Sequence, residues 1–417
     1  MTRSPGFLCR LAVAAAAGAI FLPVPAGAEL IFADGFESGD LRAWSSTVPA
    51  PGVDEWRQHA HDARRTGYTA AAVPVPWRWK WSWNGPDASG AISAGKTSLP
   101  RNVQPVTGGG RVYVARGPEG VVALASASGA VLWSRALGGS AQATPAYHGP
   151  DDTLLVTTAD GRLHKLAAST GATVESAPVP GPATTPPLLL ADRVVVSAGS
   201  RVVALAATDL SPIWDYDAGA TVDTPPSYSP GRNRVVVGAA DLHVHAVDNA
   251  SGARVWRVKP TPHTPSEIHS YRHGWPVVAE AHGLVLVKLR LEWQSMWSYG
   301  RIGSNAEIRA LLEGDPAQQA LFALDLDTGE SAFVCNVGHG GFGDNDYMPM
   351  GPQPVVKTFP DGEEVVYTVI RGTDGRYDER WDSCFGEMVL DNLTPGLVPG
   401  YVRWIRYPGS VHYLVTD

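Results

Sequence analysis

A motif repeating at near-constant spacing constrains this chain more than any other feature. "VVALASASGAVLW" (121–133), "LHKLAASTGATVE" (163–175), "VVALAATDLSPIW" (202–214) and "VHAVDNASGARVW" (244–256) align, and their final positions fall 42, 39 and 42 residues apart. A fixed period near 40 residues means one supersecondary unit stacked on copies of itself. Glycine stands four residues before the final position in three copies (Gly129, Gly171, Gly252); Asp209-Leu210 makes the turn in the other. A fifth copy, "LFALDLDTGESAF" (321–333), ends 77 residues after Trp256. The excess over one period falls in residues 291–319, where a helical pattern runs from Glu307 to Leu312.

Each copy follows a valine-rich run with a proline-bearing approach, such as "TPPLLLADRVVVSA" and "TPPSYSPGRNRVVVGA". Four short strands per period describe a propeller blade, and 45 glycines with 34 prolines supply the turns between them. The expectation is an all-β protein: a β-propeller of six to eight four-stranded blades over residues 54–417, with a partly helical insertion at 290–320. The chain stops at "GSVHYLVTD", a strand-like run, so the last blade is expected either to borrow a strand or to be incomplete.

At "ALxxxxGxxxW" the pattern resembles the PQQ-like β-propeller repeat, shared by quinoprotein alcohol dehydrogenases and by a non-catalytic outer-membrane assembly lipoprotein. The matching residues include Ala123, Leu124, Gly129 and Trp133; Ala246, Asp248, Gly252 and Trp256; Ala204, Leu205 and Trp214; and Ala323, Leu324, Asp325, Thr328 and Gly329. "WRQHAHDARRTGY" (56–68) is similar to the lead-in segment that such propellers carry. The resemblance implies that Trp133, Trp214 and Trp256 pack blade against blade, where a large flat side chain fills the wedge between sheets. Glu175 and Phe333 depart from that pattern.

The ends set the compartment. Arg3 and Arg10, the apolar "LAVAAAAGAIFL" and the small-residue ending Ala26-Gly27-Ala28 read as a signal peptide over residues 1–28. Residues 29–53 read as an extension, and the mature protein as secreted or periplasmic. Cleavage removes two arginines and no acids, moving the formal charge from −8 to −10, which argues against a nucleic-acid partner. Cys335 and Cys384 then remain, and an oxidising compartment makes their disulfide the expectation.

The quinoprotein resemblance implies PQQ, an aspartate base, a calcium ion and a disulfide between adjacent cysteines. No two cysteines are adjacent here. No cofactor is expected; PQQ or a divalent metal belongs to the alternative reading. Histidine and carboxylate side chains gather in "PHTPSEIHSYRHGW" (His263, His269, His273), with His282 beyond it, and in "GHGGFGDNDYMPMG" (His339, Asp344, Asp346). Both stretches stand at the approach to an innermost strand, and both also read as polar channel-lining loops without chemistry. The candidate ligand-binding set is His269, Tyr271, His273, Trp275, His339, Asp344 and Asp346.

Two function classes follow. The first is a monomeric, non-catalytic binding or scaffold module for a protein, peptide or glycan, with long loops on a rigid frame as its contact surface. The second is a divergent quinoprotein oxidoreductase or a metal-assisted hydrolase using His269, His273, His339 and Asp346. Finally, "WRWKWSWNG" (77–85) alternates four tryptophans with Arg78, Lys80 and Ser82. One apolar and one polar face suit the outermost strand of the closing blade.

Overall fold

The computed structural model describes residues 55–71, 80–83, 99–100, 103–291, 304–337, 353–371, 383–393 and 396–405. Among these, 24 strands form six four-stranded antiparallel sheets, each ordered as the chain runs. Blade 1 comprises β1 (Val106–Gly108), β2 (Arg111–Ala115), β3 (Val121–Ala125) and β4 (Val131–Arg135). Blade 2 comprises β5 (Ala146–His148), β6 (Thr153–Thr158), β7 (Arg162–Ala167) and β8 (Thr173–Pro178). In blade 3 these are β9 (Leu188–Leu189), β10 (Arg193–Ala198), β11 (Arg201–Ala206) and β12 (Pro212–Asp217). Blade 4 has β13 (Ser227–Ser229), β14 (Arg234–Gly238), β15 (Val244–Asp248) and β16 (Arg254–Val258). Blade 5 has β17 (Val277–Ala279), β18 (Leu284–Lys288), β19 (Leu321–Asp325) and β20 (Ser331–Val334). Blade 6 has β21 (Val355–Thr358), β22 (Glu364–Arg371), β23 (Ser383–Val389) and β24 (Val402–Ile405).

The second and third strands lie between neighbouring blades and read as nearly continuous apolar runs, because both faces are buried. The fourth strands are largely exposed, except where the motif tryptophan turns inward. In blades 1 to 5 the third and fourth strands slip register at the same place, for instance between Ala123 and Leu124. A bulge there adds twist and aims the tryptophan. The insertion sits between β18 and β19. Its helix α1 (Asn305–Gly314) starts at Ser304, whose hydroxyl accepts from the Glu307 N–H, and it buries Ile308 and Leu312. No helix among the described residues is long and apolar enough to cross a membrane.

Trp133 of blade 1 lies over Gly171 of blade 2, where an added Cβ would come within 2.6 Å of the ring. Its Nε1–H donates to Ala168 O at 2.9 Å. Trp214 repeats this on Gly252 and Asn249 O, and Trp256 on Gly329 and Leu326 O. Each of those glycines has φ between +71° and +78° and no room for a side chain, so the motif needs glycine on two counts.

Blade 2 breaks the pattern in a compensated way. Glu175 takes the tryptophan position, paired across from Lys165. Leu210, at φ +55° and 2% exposed, takes the glycine position of blade 3. The carbonyl left without an indole donor, Ala207 O, instead accepts from Lys165 Nζ at 2.6 Å, a lysine only 3% exposed that also reaches Thr208 O and Asp151. Between blades 5 and 6, Phe333 packs against Gly400.

Trp81 also occupies a glycine seat. Its ring lies over Gly129 of blade 1, and its Nε1–H donates to Ser126 O at 3.0 Å. Among the described residues Lys80 to Trp83 pair with no strand, and the fourth strand of the sixth sheet is β24. Trp81 therefore presents its ring to blade 1; Trp77 and Trp79 lie outside the described residues, and with them the rest of the expected closing strand.

The lead-in touches the innermost strand of every described blade. Trp56 O accepts from the Thr107 N–H (2.8 Å) and Arg57 O from the Tyr147 N–H (2.7 Å). The Gln58 amide exchanges two bonds with the Leu189 backbone. Ala63 O, Arg64 O and Thr66 O accept from the N–H groups of Tyr228, Val278 and Val356 at 2.8, 2.9 and 3.0 Å. Arg65 is fully buried and donates to Pro187 O, Pro226 O and His59 O at 3.0, 3.1 and 2.7 Å. Inner-edge N–H groups that face no further strand are thereby satisfied by one segment, in chain order.

Candidate functional site

The approaches to β5, β9, β13 and β17 converge at one mouth of the channel, above the lead-in. Each holds proline at or just before its strand (Pro145, Pro187, Pro226, Pro276), which fixes φ and removes an N–H that would find no partner there. Between them lies a cavity of about 380 Å³ lined by Gln142, Ala143, Thr184, Thr185, Asp223, Arg272, His273 and Trp275, with His59 of the lead-in also lining it.

His59 is 1% exposed. Its Nδ1 lies 3.1 Å from Thr144 Oγ1, and its ring meets Trp275 edge-on at 4.4 Å between centroids. Burial, with the Arg65 guanidinium adding to it, holds its pKa well below the ordinary histidine value, so the ring is neutral at neutral pH. Asp223 has a side chain 5% exposed, with Oδ1 3.8 Å from Arg272 Nε. Burial pushes its carboxyl up to about 6, against the pull of Arg272. Four buried polar atoms of lining residues have no hydrogen-bond partner: His59 Nε2, Thr185 Oγ1, Asp223 Oδ2 and Trp275 Nε1. An unpaired buried polar atom costs about 1–3 kcal/mol, so each of these four favours a partner.

Of the residues singled out in the sequence, His273 and Trp275 line this cavity. His273 takes φ +68°, a left-handed conformation in the turn that carries Trp275 into the mouth. Tyr271 does not line the cavity: it is fully buried between blades 4 and 5, against Gly238, with its hydroxyl donating to Leu242 O at 3.2 Å. His269 packs on His263 at 4.0 Å between ring centroids, and His263 Nε2 lies 2.8 Å from Ala317 O of the insertion; neither lines the cavity. His282 is in the turn after β17, at the opposite mouth, beside Glu364 and Asp391. His339, Asp344 and Asp346 lie outside the described residues. Cys335 is a free thiol, 1% exposed and pushed up to about 12 by burial; the side chain of Cys384, its expected partner, lies outside the description.

His59, Thr185, Asp223 and Arg272 were not in the sequence-derived set. The usable signal was Asp223 itself, a lone carboxylate immediately before "TPP". The described lining residues alone do not supply the ligands of PQQ with its calcium ion. A hard cation takes six to eight oxygen ligands, and among the described residues Asp223 is the one carboxylate lining the cavity. Among the described residues no group of three or more His, Cys, Asp or Glu side chains could hold a metal.

Solved structures share the fold at low identity. A europium-containing methanol dehydrogenase aligns at TM-score 0.51 and 14% identity, covering 81% of this chain and 76% of that one. The quinohemoprotein alcohol dehydrogenase from Comamonas testosteroni aligns at TM-score 0.51 and 13% identity, covering 86% and 67%. BamB from Moraxella catarrhalis aligns at TM-score 0.45 and 16% identity, covering 70% and 83%. No curated protein matches the sequence. The family model described as outer membrane protein assembly factor BamB matches residues 56–150 and 142–333, about two thirds of the chain. With its recurring tryptophan–glycine contacts and six four-stranded sheets, the chain belongs to this PQQ-like β-propeller repeat family.

Proposed function

We propose that the chain is an exported binding module that presents the cavity mouth to a protein, peptide or glycan ligand and performs no chemistry on it. The supporting observation is the lead-in. Residues 56–66 tie the inner strands together, and His59 lines the mouth enclosed by four proline-fixed approaches. A rigid recess suits recognition, because little order must be gained on binding. Export rests on the N-terminal segment, and a monomer is the proposed state.

The test is a blocking substitution. Ala143, 2% exposed, lines the cavity, and Ala143→Trp fills it. In a thermal-shift screen of peptides, glycans and proteins, a ligand raises the Tm of the wild type and leaves a folded Ala143→Trp variant unmoved. A ligand that stabilises both equally binds elsewhere and contradicts the assignment.

A further inference from the structure

The unpartnered groups around the cavity identify the chemistry of what it holds. Trp275 Nε1–H can only donate, the Asp223 carboxylate can only accept, and the Thr185 hydroxyl does both. His59 Nε2 donates or accepts according to tautomer. The four residues that carry these groups come from three different approaches and from the lead-in, and all line the cavity. A guest that satisfies them needs several groups that each donate and accept, spaced around a compact body. Hydroxyl groups do this; amides divide the two roles between atoms, and carboxylates only accept.

Charge narrows the class further. Asp223 and Arg272 stand 3.8 Å apart with opposite sign, and Arg65 lies beneath His59. An anionic guest would meet the buried Asp223 carboxylate, and a cationic guest would meet Arg272 and the buried Arg65 guanidinium. A neutral guest meets no such opposition. The half-buried Trp275 supplies an aromatic surface beside these groups, suited to the C–H faces of a saturated ring. The volume of about 380 Å³ is at the small end of ligand pockets.

We propose that the cavity binds a neutral, multiply hydroxylated ring, a glycan residue of one or two sugar units, with Asp223 and Thr185 reading its hydroxyls. This rests on the cavity being the binding site and names its ligand class.

Isothermal titration with a panel of methyl glycosides and disaccharides tests it, alongside a set of short peptides and of aromatic carboxylates as other classes. Expected is binding by at least one neutral glycoside, weakened about tenfold or more in each of Asp223→Asn and Thr185→Val while thermal melts stay cooperative. Asp223→Asn keeps the shape of the side chain, so loss there reports the carboxylate rather than the fold. Binding of peptides or aromatic carboxylates alone, sensitive to the same variants, overturns the sugar assignment and leaves the cavity as a site. No binding by any class overturns both. Glycoside binding indifferent to both variants places the site elsewhere and overturns the proposal.

Discussion

Asp223 is held at an energetic cost. Its carboxyl sits near 6 in the folded chain against an ordinary value near 4, so the native state takes up a proton more readily than the unfolded chain. The sign follows: the ionised side chain destabilises the fold above about pH 6, and the penalty disappears as pH falls toward 4. Asp223→Asn is therefore expected to raise unfolding free energy by about 1–3 kcal/mol at pH 8 and to change little near pH 4, read from urea melts at both values. Equal effects at both would mean that the carboxyl is not desolvated. A substitution that stabilises the protein and weakens its ligand is the signature of a residue kept for binding.

At the same scale, the junction of blades 2 and 3 shows why the missing tryptophan is tolerated. Leu210 fills what a glycine would leave open, and Lys165 donates where an indole would. Glu175→Trp alone is expected to destabilise by about 1–3 kcal/mol, because the ring would meet Leu210, and Leu210→Gly added to it is expected to recover part of the loss. Denaturation of the two single variants and the double checks this. Additive losses would show that the two positions do not share a space.

Among the elements, the lead-in is the one that bonds to the innermost strand of all six described blades. Its bonds are mainly those of backbone carbonyls, which no side-chain pattern announces; hence the sequence marked residues 56–68 by resemblance without showing what they hold. Arg65 is the exception. Its fork spans three carbonyls from the lead-in and from the approaches to blades 3 and 4, and burial lowers its pKa to about 9. Arg65→Met is expected to cost roughly 3 kcal/mol or more, with little recovery in Arg65→Lys, because an ammonium cannot reach all three acceptors in one plane. Full stability in Arg65→Lys would show that charge alone matters there.

Seen as a whole, the ring was legible where the motif is regular. Five copies gave the period, the strands and the docking positions, since glycine spacing and terminal aromatics are local. The sixth blade was hidden. There Gly386 pairs with Trp404, as Ala123 pairs with Trp133, but the connection from β23 to β24 runs through residues 390–401 and breaks the spacing. The cavity was half legible: His273 and Trp275 lie in one polar run, whereas Thr185, Asp223 and His59 are brought there only by ring closure. Tyr271, two residues from His273, faces the blade interface instead. An isolated turn gives no hint of which neighbour points inward.

The proposed ligand settles in this mouth, against the lead-in. Hydrogen exchange read by peptide, with and without a saturating ligand, tests it most directly. Slower exchange in the segments holding His59, Thr185, Asp223 and Trp275, with the opposite-mouth turn at Glu280–Gly283 unchanged, is the predicted result. Protection centred on that opposite turn, or none in the four segments, would contradict it.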